Sequence, residues 1–137
     1  MAKMTGLGWT ALQVDDASGT AQDIRTDLTN LEFSTPRGVQ DVTGIDKSAH
    51  ERLLLLADFS IQLHGVFDPA ANLAHDVLKT VPSTSVARTV AITVNGCSLS
   101  NECLFSDYQI TRSNSGELTF QAPGALADGT VPTWTGA

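Results

Sequence analysis

A β-dominated domain with one short helix is what this sequence predicts, and three observations predict it. Val, Ile, Thr and Phe recur in short runs, turn-forming residues punctuate the chain about every ten positions, and one long stretch alternates apolar with polar side chains. Strands are expected over residues 10–14, 28–34 and 39–43, then over 54–67, the longest of them. Further strands are expected over 85–94, 98–105, 108–112 and 118–122. Turns are expected at Asp16-Ala-Ser-Gly19, Pro36-Arg-Gly38, Asn95-Gly96 and Asn114-Ser-Gly116. Asn-Gly favours a tight hairpin because both residues tolerate positive φ.

In the long strand, Phe59, Ile61, Leu63, Gly65 and Phe67 share one face, and Asp58, Ser60, Gln62 and His64 the other. Period two with one polar face means a sheet with one buried and one wet side. Over 85–94, Val86, Val90, Ile92 and Val94 alternate with Ala87, Thr89, Ala91 and Thr93. That second face is small and weakly polar, a surface another sheet or subunit could cover. One helix is expected after Asp68, with Asp68 as its cap, Pro69 in the first position and Leu73, Val77 and Leu78 as its apolar stripe. Pro82 ends any continuation. The 137 residues suit a single domain, with 1–9 and 123–137 as extended arms that carry little structure of their own.

Composition narrows the function. A hydrophobic content of 42% is enough for a core. The net charge of -7 argues against binding nucleic acid by phosphate neutralisation, although an acidic wall can surround DNA without holding it. Residues 1–14 lack the apolar core of a signal peptide, and the apolar run 53–57 is too short to span a bilayer. Cys97 and Cys103 flank turn signals at Asn95-Gly96 and Ser100-Asn101. A bridge between them is geometrically possible, but two thiols in a reducing compartment are the better reading.

Chemical motifs are weak. Ser60, His64 and Asp68 supply the residue types of a hydrolytic triad, but spacing along one strand keeps Ser60 out of reach of His64. His50, His64 and His75 form no metal-ligand pair spacing. Asp15-Asp16-Ala-Ser-Gly19 lacks the pattern of a calcium loop, and Gly6-x-Gly8 that of a phosphate loop. Asp46, Lys47, Glu51 and Arg52 mix both signs within one loop, as a solvated loop or a charged contact loop would.

The order of several motifs resembles the major tail tube proteins of long-tailed, siphovirus-type bacteriophages, particularly those of actinobacterial type. The motifs are Asp27-Leu-Thr-Asn-Leu-Glu-Phe33, Val39-Gln-Asp-Val-Thr-Gly44, Glu51-Arg-Leu53, Ala57-Asp-Phe-Ser-Ile61 and Gly65-Val-Phe-Asp68. Ala74-His-Asp-Val-Leu78, Arg88-Thr-Val-Ala-Ile-Thr93 and Gly116-Glu-Leu-Thr-Phe120 complete the series. The resemblance implies a β-sandwich or partial barrel with one flanking helix. It implies hexameric rings stacked into a tube, with strands of all six subunits lining a channel through which double-stranded DNA passes without specific binding. It places Asp46, Lys47, Glu51 and Arg52 on a loop that contacts neighbouring subunits. Polar alternation then assigns Ser60, Gln62 and His64 to the lumen. Also implied are a tape measure protein and a tail terminator as partners, assembly in the bacterial cytoplasm, a place in the virion, and no enzymatic role, cofactor, metal or membrane. Many longer relatives add a C-terminal immunoglobulin-like domain, so this chain is expected to be the bare tube module. A capsid decoration or head–tail joining protein, a related secretion-tube ring protein, and an enzyme or small-molecule-binding sandwich are the competing readings.

Overall fold

A computed structural model describes residues 5–136; residues 1–4 and 137, at the ends of the expected arms, lie outside it. After a 3-10 turn at Gly6–Gly8 come β1 (Trp9–Asp15), β2 (Ala21–Asp23) and a second 3-10 turn at Arg25–Asp27. Then follow β3 (Leu28–Ser34), β4 (Arg37–Asp41), β5 (Arg52–Ala57), β6 (Ser60–Val66) and α1 (Ala74–Leu78). The chain ends with β7 (Arg88–Val94), β8 (Cys97–Phe105), β9 (Gln109–Arg112), β10 (Leu118–Leu126) and β11 (Thr135–Gly136).

Nine strands form one sheet in the order β2-β1-β7-β8-β10-β6-β3, with β11 beside β8 and β9 beside β10. Strands β4 and β5 pair only with each other. Local chemistry explains the hairpins. Asp16 Oδ1 accepts hydrogen bonds from Ser18 N and Thr20 N, both at 3.0 Å, and closes the β1–β2 turn. Asn95 and Gly96 take φ of 49° and 84°, the paired positive values a two-residue hairpin turn requires. The large sheet curls, so that Trp9 of β1 meets Phe33 of β3 edge to face at 6.0 Å. Phe59, Ile61, Leu63, Val90, Ile92, Leu99 and Phe120 fill the concave side, and Val77 and Leu78 of the helix are buried with them. Gly65 admits a close approach: a Cβ there would stand 2.3 Å from the Asp27 carbonyl and 2.7 Å from the Phe120 ring.

The expected long strand over 54–67 is two strands in different sheets. The ladder pairs Ser34 with Ser60, and beyond a break pairs Arg37 with Ala57. Pro36, which has no N–H, lies at the break, and Asp58 N reaches its carbonyl at 3.0 Å. Residues 28–66 are thus one long kinked hairpin whose distal half, β4–β5, leaves the body. The helix starts later than expected. Leu73 is its N-cap and offers no side-chain hydrogen bond, while Asp68 instead accepts from Ala70 N at 3.0 Å in the preceding loop. Strand β10 runs to Leu126, four residues past the expected end, because residues 123–125 pair with β6. Ser100-Asn101, read as a turn signal, lies inside β8. Both cysteines therefore sit six positions apart on one strand, roughly 20 Å at about 3.3 Å per residue, which rules out a bridge between them.

Candidate assembly surfaces

Among the described residues, none gives the hairpin β4–β5 an apolar cover. Every residue of β4 is exposed, and in β5 only Ala57 is half-buried. Leu53, Leu54, Leu55 and Leu56 are 56%, 59%, 45% and 90% exposed. A run of apolar residues in a strand ordinarily means that both faces are covered; here neither is. The sequence reading treated this run as the start of a one-sided strand, yet four consecutive leucines already broke the alternation that such a strand needs.

The four charged residues expected in the contact loop lie at the far end of this ribbon. Asp46 and Lys47 pair at 3.5 Å in solvent, Glu51 follows the loop, and Arg52 opens β5 opposite Asp41. Asp41, which sequence reasoning passed over, organises the loop. Its carboxylate accepts from Thr43 N at 2.9 Å and from the Thr43 hydroxyl, and contacts His50 Nδ1 at 3.2 Å. The Thr43 contacts, then His50, hold the Asp41 carboxyl below the usual range. The loop is therefore built to one shape before any partner arrives.

Ser60, Gln62 and His64 come together as a row on the convex face of the large sheet. In register beside them stand Ser34, Glu32 and Asn30 on β3, and Ala125, Pro123 and Gln121 on β10. Ser34 and Ser60 hydroxyls meet at 3.0 Å. A shallow depression of about 490 Å³ runs along this row. The same face continues through Thr89, Ala91 and Thr93 of β7 and Ser98, Ser100 and Glu102 of β8. Glu102 accepts a hydrogen bond from the Thr89 hydroxyl. Among the described residues, no strand position on this face is Lys or Arg; its charges are the acids Asp15, Asp23, Glu32 and Glu102.

Two buried charges pin the short helix to the sheet, and sequence reasoning missed both. Asp27, 2% exposed, accepts from Ala74 N at 3.0 Å at the helix start. Burial raises its carboxyl above the usual range, and a hydrogen bond with Asp68 and that residue's charge raise it further. Arg88, 1% exposed, donates to Val77 O and Thr80 Oγ1 at the helix end, both at 2.8 Å, and to Asp15 O at 2.9 Å. An acid at the N-terminal end and a base at the C-terminal end complement the helix dipole. Beside Asp27, Tyr108 is pushed up to about 12, by burial first and then by the Asp27 charge. The Tyr108 hydroxyl meets His75 Nδ1 at 2.9 Å. These groups are absorbed in holding the fold. Among the described residues no group of three or more His, Cys, Asp or Glu could hold a metal ion, and no helix is long and apolar enough to cross a membrane.

No protein-family model and no curated protein matches this chain. Solved structures do. A chain of the virion of a native gene transfer agent particle is similar over 97% of this chain and 99% of its own length, with a TM-score of 0.76 and 17% identity. A chain of the tail of an empty gene transfer agent particle, refined helically with C6 symmetry, is similar over 98% and 99%, with a TM-score of 0.73 and 19% identity. Over 98% of its length the chain thus shares the fold of a chain from a C6-symmetric gene transfer agent tail.

Proposed function

We propose that this chain is a tail tube subunit. It assembles into hexameric rings that stack into a tube in the bacterial cytoplasm, becomes part of the virion of a siphovirus-type phage or phage-like particle, and conducts double-stranded DNA during ejection. It performs no catalysis and needs no cofactor. A tape measure protein and a tail terminator set and end its polymerisation. Ser60, Gln62 and His64 face the lumen, and Asp46, Lys47, Glu51 and Arg52 contact neighbouring subunits.

The convex sheet face is the observation that carries this reading. Among the described residues, the strand positions of this face carry acids and no Lys or Arg, and such a surface repels the phosphate backbone. The shared fold with a chain from a helical, C6-symmetric tail supports the same reading. So does the protruding hairpin, which is a liability for a monomer and a connector for an assembly.

Electron microscopy of the purified protein tests the proposal. Hollow tubes of uniform width are expected. Reversing both charges in Lys47→Glu/Arg52→Glu is expected to stop polymerisation while leaving the melting temperature unchanged. Monomers that coat capsids and never form tubes would instead support a decoration role.

A further inference from the structure

Independently of the tube reading, we infer that the C-terminal segment 127–136 is a releasable strap that locks the joint between the folded body and the β4–β5 ribbon.

The strap leaves β10 at Leu126, whose N–H donates to Phe59 O at 2.9 Å. Ala127 N donates to Glu102 O, also at 2.9 Å. At the far end, β11 pairs Thr135 with Ser98 and Gly136 with Cys97. Ser98 lies on the convex face, so Thr135 beside it does too, and Trp134 turns to the concave side. In the sheet, β10 and β6 separate β8 from β3. The Trp134 ring nonetheless reaches across to stand 6.0 Å from that of Phe33. Phe33 in turn lies 6.0 Å from Phe59.

These contacts fall on both limbs of the joint. Phe33 belongs to the limb that runs into Pro36 and β4, and Phe59 to the limb that arrives from β5 through Asp58. Between the limbs, Asp58 N donates to Pro36 O at 3.0 Å. The strap clamps this link from outside: its start bonds one limb and its end lays a ring on the other. Among the described residues, none covers the ribbon, so the joint sets the ribbon's direction, and the strap holds the joint.

The two ends of the strap are unequal. The Leu126 end continues a nine-residue strand. The far end rests on two ladder pairs and on an indole ring that is 48% exposed. Segments with so few buried contacts open locally while the fold stays intact. That end also needs a glycine: Gly136 has φ of 95°, and a Cβ there would lie 2.0 Å from Gly96 O. The strap is hinged at Leu126 and released at Trp134, and release frees the Phe33 limb.

Amide hydrogen exchange on the monomeric full-length chain tests the lock. Trp134→Ala removes the ring, whereas Gly136→Ala keeps the ring but cannot seat β11. Each is expected to speed exchange at Asp58 N by about tenfold or more, the mark of a local opening. The amides of Val90 and Ile92 in β7 are expected to keep their wild-type rates. Unchanged exchange at Asp58 in either variant overturns the lock. Faster exchange that spreads equally to β7 also overturns it, because the segment would then be part of the global fold and not a release. The measurement needs no assembly, so either failure leaves the tube reading standing.

Discussion

The two halves of one long hairpin, β3–β6 and β4–β5, follow opposite rules. In the proximal half, alternation holds from Asn30 through β3 and throughout β6, and the apolar side meets a core. In the distal half alternation fails, both faces are apolar, and neither is covered. The same kind of ladder thus closes a core on one side of Pro36 and Asp58 and stays uncovered by the described residues on the other. Burial within the chain tells the two apart; hydrophobicity alone does not, because Leu63 and Leu56 are equally apolar and only Leu63 is buried.

Mutations should sharpen this contrast by separating melting from assembly. The largest effect on melting is expected from Phe120→Ala, which empties a site against Gly65 and Tyr108 and should cost about 3–5 kcal/mol by denaturant titration. Arg88→Met should follow, at about 2–4 kcal/mol, because it strands the buried Asp15 and Val77 carbonyls. Next comes Asp27→Asn, whose effect depends on pH. The folded protein holds the Asp27 carboxyl above its ordinary 3.8. Its stabilising contribution is therefore complete below that value and lost as pH rises through the raised one. Asparagine has no proton to lose there and keeps an oxygen for Ala74 N. Melting curves taken from below pH 3.8 upward should show the variant gaining on wild type as pH rises through the raised value. A constant gap would mean that Asp27 does not titrate in that range. The smallest effect on stability is expected from Gln62→Lys on the convex face, within about 0.5 kcal/mol. It should nonetheless make assembled tubes bind duplex DNA in a manner that weakens with salt. Tubes of that variant that ignore DNA would break the lumen assignment.

Periodicity made much of the body legible. The span 28–34 matches β3 residue for residue, and the spans 98–105 and 108–112 each differ from the observed strands by one residue. Turn chemistry located Asn95-Gly96 because the dipeptide itself dictates the conformation. The errors share one cause: the deciding contact was distant in sequence. Asp68 looked like the helix cap because it was near, but the carboxyl that bonds the helix start is Asp27, 47 positions away. Arg88 drew no reading from its strand pattern, because the carbonyls of Val77 and Asp15 that account for its burial lie 11 and 73 positions away. Strand β2 and the pairing of Thr135 with Ser98 rest on neighbours that no local pattern announces. As for the candidate surfaces, polar alternation picked out the row Ser60, Gln62 and His64, and clustered charge picked out the loop. The leucine ribbon between them went unread because a buried strand and an uncovered one share the same letters.

The kink at Pro36 and Asp58 works as a phase boundary. Strand facing has period two, so one residue inserted between Ala57 and Asp58, ahead of the buried Phe59, would rotate β5 by half a period relative to β6. The leucines on one face of the ribbon would then face the opposite way. Residues added in matched pairs to β4 and β5 would lengthen the arm and leave its facing unchanged. Reach and orientation of the ribbon are thus separately adjustable at one joint while the folded body stays as it is.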